Sequence, residues 1–319
     1  MNLKMKAKMN TLKISIKTDR SGKSIIMLGD KKVTTSKTGA GLEAVVEFHY
    51  RKITGVKAPY SMIVGETGIN EPAPSEKFNI NQRFDFVEKL VGMVADSVQP
   101  SAIITGEGGL GKTYTVVKTL EAKGYKDISD LADFQVGTVI NARKCFTMVK
   151  GYSTPKGLYR TLFENNKSII VFDDCDSVLK DPVALNLLKS ALDSYGKRII
   201  SWNADMKDED LPRSFNFEGR VIFISNMDDG RIDQAIRSRS MMIDLSMNSD
   251  QKIERMETIA QSLDFLPEYS AEIKADALAL IREIKEEVKE ISLRTLISVA
   301  KVRASNKEWK DLATYMLVA

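Results

Sequence analysis

An α/β fold built on a parallel sheet, with a β-rich amino-terminal segment before it and a helical segment after it, is predicted by three features of the sequence. Apolar strand-like runs alternate with helical spacing between about residues 100 and 247. Short alternating runs precede that region, and after Asn248 only helical spacing remains.

The elements follow in order. Leu12–Lys17, Ser24–Leu28 and Val45–Tyr50 alternate apolar and polar residues, and Asp19-Arg20-Ser21-Gly22 and Gly29-Asp30-Lys31-Lys32 supply turns. Gly65 to Ser75, with Pro72 and Pro74, concentrates breakers and reads as a linker. The expected domains are therefore 1–75, 76–247 and 248–319. Asn81 to Ser97 has Phe84, Val87, Leu90, Val91 and Val94 at helical spacing. The sheet strands are expected at Ala102–Thr105, Gly137–Ile140, Ser168–Phe172, Arg220–Ser225 and Met241–Leu245, mostly apolar as strands buried on both faces must be. Arg198–Trp202 and Leu211–Phe217 predict a hairpin insertion whose Trp202, Phe215 and Phe217 pack inward. Gln251–Leu263, Ala271–Val288, Leu293–Arg303 and Trp309–Leu317 predict a helical lid.

Composition narrows the class of protein. With 319 residues, 43% hydrophobic and 28% charged, the chain can bury sizeable cores, and disorder is not expected. No run approaches the ~18 apolar residues of a membrane span, and Lys4, Lys6 and Lys8 precede no apolar stretch, so a cytoplasmic protein without a membrane partner is expected. Cys145 and Cys175 lack metal-ligand spacing, and the single histidine, His49, suits a structural or surface role. Charge is uneven. Residues 1–60 hold 13 basic and 4 acidic residues, a net +9, whereas the remainder holds 34 basic and 39 acidic, a net −5. A polyanion such as DNA suits that segment, and a solvated lysine-rich β-surface is the equal alternative.

Chemistry enters at Gly106-Glu107-Gly108-Gly109-Leu110-Gly111-Lys112-Thr113, a complete G-x-x-x-x-G-K-T phosphate loop between an apolar strand and a helix that begins with Tyr114. The glycines let backbone N–H groups turn inward around an anion at the helix N-terminus. Lys112 would reach the β- and γ-phosphates of ATP, and the Thr113 hydroxyl would ligate Mg²⁺. The apolar strand Ser168–Phe172 ends in Asp173-Asp174. Asp173 would hold Mg²⁺ and Asp174 would polarise the attacking water.

These motifs, in this order over roughly residues 80–305, resemble the AAA+ ATPases. The resemblance implies a P-loop core with a helical lid, ATP and Mg²⁺ as ligands, and a homo-oligomer, a ring or spiral expected as a hexamer. Arg220–Asn226 looks like the sensor 1 strand, with Asn226 placing the water. Ala235-Ile236-Arg237-Ser238-Arg239-Ser240 is similar to the Ser-Arg-Cys region of clamp-loader subunits, which makes Arg239 the arginine finger and Arg237 the reserve. Ser292–Leu296 looks like sensor 2, with Arg294 on the γ-phosphate. Asn141 would restrain the catalytic acid. Met148–Pro155, with Lys150 and Tyr152, would supply a pore loop, or Tyr152 would anchor its own loop.

One departure stands out. The family pairs Asp with Glu where this chain has Asp173-Asp174, one methylene shorter, so a closer loop, slow turnover or help from Asp176 or Glu107 is implied. The substrate implied is DNA or a nucleoprotein complex, in a style similar to bacteriophage-encoded ATPases of the host cytoplasm. The alternatives are a protein-remodelling ATPase and a nucleotide-gated switch with little turnover.

Overall fold

The computed structural model describes residues 14–18, 24–28, 31–35, 40–54, 77–129, 144–194, 196–203 and 211–319. The chain divides into two compact units, Met1–Ala73 and Pro74–Ala319.

In the first unit, β1 (Ile14–Thr18), β2 (Ser24–Leu28) and β3 (Lys31–Thr35) form an antiparallel sheet in the order β1-β2-β3. Ile26 pairs in register with Ile16 of β1 and with Val33 of β3. The strand expected at Val45–Tyr50 is instead part of a helix, α1 (Ala40–Thr54). Its buried residues explain why. Val46 and Tyr50, one helical turn apart, bury completely against Ile26 and Leu28, with Val45 and Ile53 beside them, while Phe48 is exposed. Six alternating residues look like a strand, but the longer i, i+4, i+7 spacing decides.

The second unit is an α/β structure. Its elements are α2 (Ile80–Ala95), β4 (Ser101–Thr105), α3 (Lys112–Ala122), β5 (Lys126–Asp127), β6 (Cys145–Lys150), α4 (Pro155–Glu164), β7 (Ile169–Asp173), α5 (Ser177–Lys180) and α6 (Pro182–Ala191). There follow β8 (Ile199–Ser201), β9 (Ser214–Asn216), β10 (Arg220–Ile224), α7 (Gln234–Arg237), β11 (Met241–Asp244), α8 (Ser249–Ala260), α9 (Ala271–Glu283), α10 (Leu293–Ser305) and α11 (Trp309–Val318). Six strands make one parallel sheet in the order β11-β4-β10-β7-β6-β5.

Alternation along the central strands distributes the core to both faces. Ala102, Ile104, Val171, Ile222 and Ile224 join a cluster with α2, α3 and α8 through α11. Ile103, Ile170, Phe172, Val221 and Phe223 join the other, with α4, α6 and the β8–β9 hairpin. The carboxy-terminal helices thus share a hydrophobic core with the sheet. The hairpin forms as the sequence predicts, with Trp202 and Phe215 against Tyr159.

Two differences affect the middle of the sheet. The strand expected at Gly137–Ile140 and the polar residue Asn141 lie outside the described residues, as does the expected linker. The strand beside β7 is β6, whose Met148 to Lys150 were expected in a loop, and Lys150 pairs in register with Asp173. A neighbour already hydrogen-bonded in the sheet overrides the turn signal of Gly151, which takes φ 82° just beyond the strand. Among the described residues no helix is long and apolar enough to cross a membrane.

Candidate functional site

The site lies at the carboxyl ends of β4, β7 and β10, where ligands bind in open parallel sheets. β4 is buried along its whole length, and its chain turns sharply at Gly106. Gly106 has φ 127°, and a Cβ there would stand 2.8 Å from the Leu245 carbonyl carbon, so only glycine fits. Gly109 and Gly111 are also left-handed, and α3 starts at Lys112.

Lys112 is buried, and its Nζ donates to the carbonyls of Gly106 at 2.6 Å and Glu107 at 2.7 Å and to Asn226 Oδ1 at 2.9 Å. Burial lowers its pKa, opposed by the carboxylates of Asp174, Asp173, Glu107 and Asp176. Thr113 Oγ1 donates to Asp173 Oδ1 at 3.0 Å. Asn226 Nδ2 donates to Asp174 Oδ1 at 2.7 Å. Burial raises the Asp174 carboxyl above its ordinary range, Asp173 and Asp176 reinforce this, and Lys112 and Arg294 oppose it.

A cleft of about 290 Å³ is lined by Lys112, Thr113, Asp173, Asp174, Asn226 and Arg294, with Gly108, Gly109, Gly111 and Tyr114. Most residues expected at the site therefore meet in one place. Gly106 contributes its carbonyl to Lys112 without lining the cleft, and Leu110 is buried in the core. Glu107 is engaged elsewhere, in an ion pair with Lys252 of α8. Arg239 lies at the other end of β4, where Ser101 Oγ donates to its carbonyl at 3.2 Å. Tyr152 is 79% exposed, so it does not anchor its loop through burial.

Sequence reasoning missed Leu293 and Ile297, which line the cleft from α10. Arg294 and Ile297 stand i, i+3 on one helix, so helical spacing from Arg294 was the signal that could have found Ile297. It missed also that the Leu293 N–H donates to the Gly109 carbonyl at 2.8 Å, tying the glycine-rich loop to the start of α10. An adjoining cavity of about 360 Å³ shares Gly111, Tyr114, Leu293 and Ile297 with the cleft and continues to Ile259 and Phe265.

Oxygen donors from Thr113 and Asp173, in direct contact, fit a hard divalent cation such as Mg²⁺ that takes most of its ligands from outside the protein. Among the described residues no group of three or more His, Cys, Asp or Glu side chains is arranged to hold a metal by itself.

The fold and cleft define an α/β protein with a six-stranded parallel sheet flanked by helices and a polar site at its carboxyl edge. The chain is similar to an uncharacterized 36.7 kDa protein from the nrdC-mobD intergenic region of Enterobacteria phage T4, with 28% identity over 265 residues and 77% of each chain covered. No family model matches it.

Proposed function

We propose that the chain is a Mg²⁺-dependent ATPase of the AAA+ type, acting at the interfaces of a homo-oligomer on DNA or a nucleoprotein complex. The observation that carries this reading is the convergence of Lys112, Thr113, Asp173, Asp174, Asn226 and Arg294 on one cleft beside a left-handed glycine loop. The strand order, with β10 between β4 and β7, supports it further, because that order brings the acids and Asn226 to the phosphate loop.

Each group then has a task. The loop N–H groups and the N-terminus of α3 cradle the phosphates, and Lys112 exchanges Asn226 and the loop carbonyls for phosphate oxygens. Thr113 and Asp173 would hold Mg²⁺, which would supply charge neutralisation on the phosphates. Asp174 accepts a proton from the attacking water as its oxygen bonds to the γ-phosphorus and the bond to the ADP oxygen breaks, and Asn226 orients acid and water. Arg294 answers charge on the γ-phosphate. The adjoining apolar cavity takes the base and ribose.

Oligomeric action is supported by the distance of Arg239 from its own cleft, since a finger must enter a neighbour's. The basic amino-terminal sequence supports a nucleic-acid substrate, and the phage relative supports a phage protein working in host cytoplasm. Asp174 in place of a glutamate favours the second reading, a nucleotide-gated switch.

Steady-state ATP hydrolysis measured against protein concentration, with and without single-stranded DNA, duplex DNA and an unfolded polypeptide, tests the reading. A rate per subunit that rises with concentration and with DNA is expected. Stimulation by polypeptide alone points to protein remodelling, and tight ATP binding without turnover points to the switch.

A further inference from the structure

Consecutive strand residues send their side chains to opposite faces of a sheet. Asp173 and Asp174 are consecutive, yet both line the phosphate-loop cleft. The backbone accounts for it. Asp173 ends β7, and Asp174 takes φ 52°, in the left-handed region that short polar residues such as Asp tolerate far better than longer ones.

We propose that this left-handed turn does for Asp174 what an extra methylene does for a glutamate, carrying the shorter carboxylate to the water, and that Asp176 and Ser225 are positioning residues that hold the turn. The proposal rests on the ATPase reading.

The turn is tied at each residue. The Asp174 N–H donates to the Ile224 carbonyl at 3.0 Å, which fastens it to the end of β10. Cys175 is buried in the core cluster behind the sheet. Ser225, also buried, donates its hydroxyl to Asp176 Oδ1 at 2.7 Å and accepts the Met227 N–H at 3.0 Å. Asp176 therefore turns to Ser225 and is absent from the cleft lining. The bond clamps the loop after β7 to the loop after β10, and Asn226, next to Ser225, bonds the Asp174 carboxylate itself. A backbone conformation that is intrinsically unfavourable persists where surrounding contacts over-determine it.

The test uses the full chain, with kcat and KM for ATP hydrolysis, nucleotide affinity and melting temperature measured on each variant. Asp174→Glu keeps ATP affinity but lowers kcat about tenfold to a hundredfold, because the longer side chain overshoots from this backbone. An Asp174→Glu variant as fast as the unmodified protein, or faster, overturns the proposal. Asp176→Ala lowers kcat about tenfold or more with KM little changed. Asp176→Asn, whose amide oxygen still accepts from Ser225, recovers most of that loss. Equal losses in Asp176→Ala and Asp176→Asn mean that the charge of Asp176 matters and the bond does not, and that result also overturns it. If Asp176→Ala fails to fold, the Asp174→Glu result decides alone. ATP binding without turnover by the unmodified chain, alone and with DNA or polypeptide, removes the ATPase reading itself, and the proposal with it.

Discussion

The two ends of β4 differ in how completely they satisfy their own polar groups. At the carboxyl end, Lys112, Asn226 and Asp174 form a continuous chain of hydrogen bonds, and Thr113 binds Asp173. At the amino end, Ser101 Oγ lies 2.8 Å from Ser240 Oγ and donates to the Arg239 carbonyl, which holds the backbone of the Ser-Arg-Ser segment. Arg239 Nη1 bonds the Ala235 carbonyl at 3.0 Å, while its Nε is buried without a hydrogen-bond partner among the described residues. One chain thus brings together the residues proposed to bind nucleotide and holds its candidate finger at the opposite end of β4. On the ATPase reading, binding belongs to a single subunit and turnover to a pair.

That division can be broken, and the largest expected effect is from Lys112→Ala. It removes the buried cation of the cleft, so ATP binding and turnover should both be lost, read by nucleotide titration; retained affinity would detach the loop from nucleotide binding. Arg239→Ala should lower assembled turnover about 10³-fold or more while nucleotide affinity stays unchanged. If Arg237→Ala does so and Arg239→Ala does not, the finger belongs to Arg237. Asp174→Asn should lower kcat about 10²- to 10⁴-fold and leave ATP bound, as single-turnover kinetics would record. Smaller still, Arg294→Ala should raise the KM for ATP and weaken discrimination between ATP and ADP; no change in either separates α10 from the γ-phosphate.

The smallest effect concerns stability. The Asp174 carboxyl is held above its ordinary range by burial and by Asp173. The folded state therefore binds this proton more readily than the unfolded state, and ionising Asp174 costs stability as pH rises through that window. Asp174→Asn should melt at a higher temperature than the unmodified protein at neutral pH. The difference should close as pH falls through the raised pKa to below the unfolded value of about 3.9. A constant difference at every pH would assign the gain to something other than this charge.

Legibility varied with the range of the interactions. The hairpin was readable because its strands carry their own apolar faces and flanking turns. The α1 helix was misread because Val45 to Tyr50 satisfies both periods over so short a run, and only Val46 and Tyr50 packing on Ile26 and Leu28 selects one. β6 was missed because Cys145–Lys150 becomes a strand through pairing with β7, and Lys150 followed by Gly151 resembles a loop when read alone. At the site, Lys112, Thr113, Asp173 and Asp174 were recognisable as motifs, and the structure brings all four to one cleft. The engagement of Glu107 by Lys252 and of Asp176 by Ser225, with neither acid lining the cleft, was not recognisable.

The amino-acid sequence by itself determined the glycine-rich loop Gly106–Gly111, the buried strand that feeds it and the helix it opens, because a glycine turn and a helix start depend only on consecutive residues. Tertiary structure alone decided that Asn226 joins Lys112 to Asp174, partners 114 and 52 residues away along the chain. It decided also that Asp174 turns left-handed beside them. Those contacts exist only because β10 pairs on one side with β4 and on the other with β7. Strand order is set by how whole faces bury against helices, a sum over many distant side chains that no local pattern records.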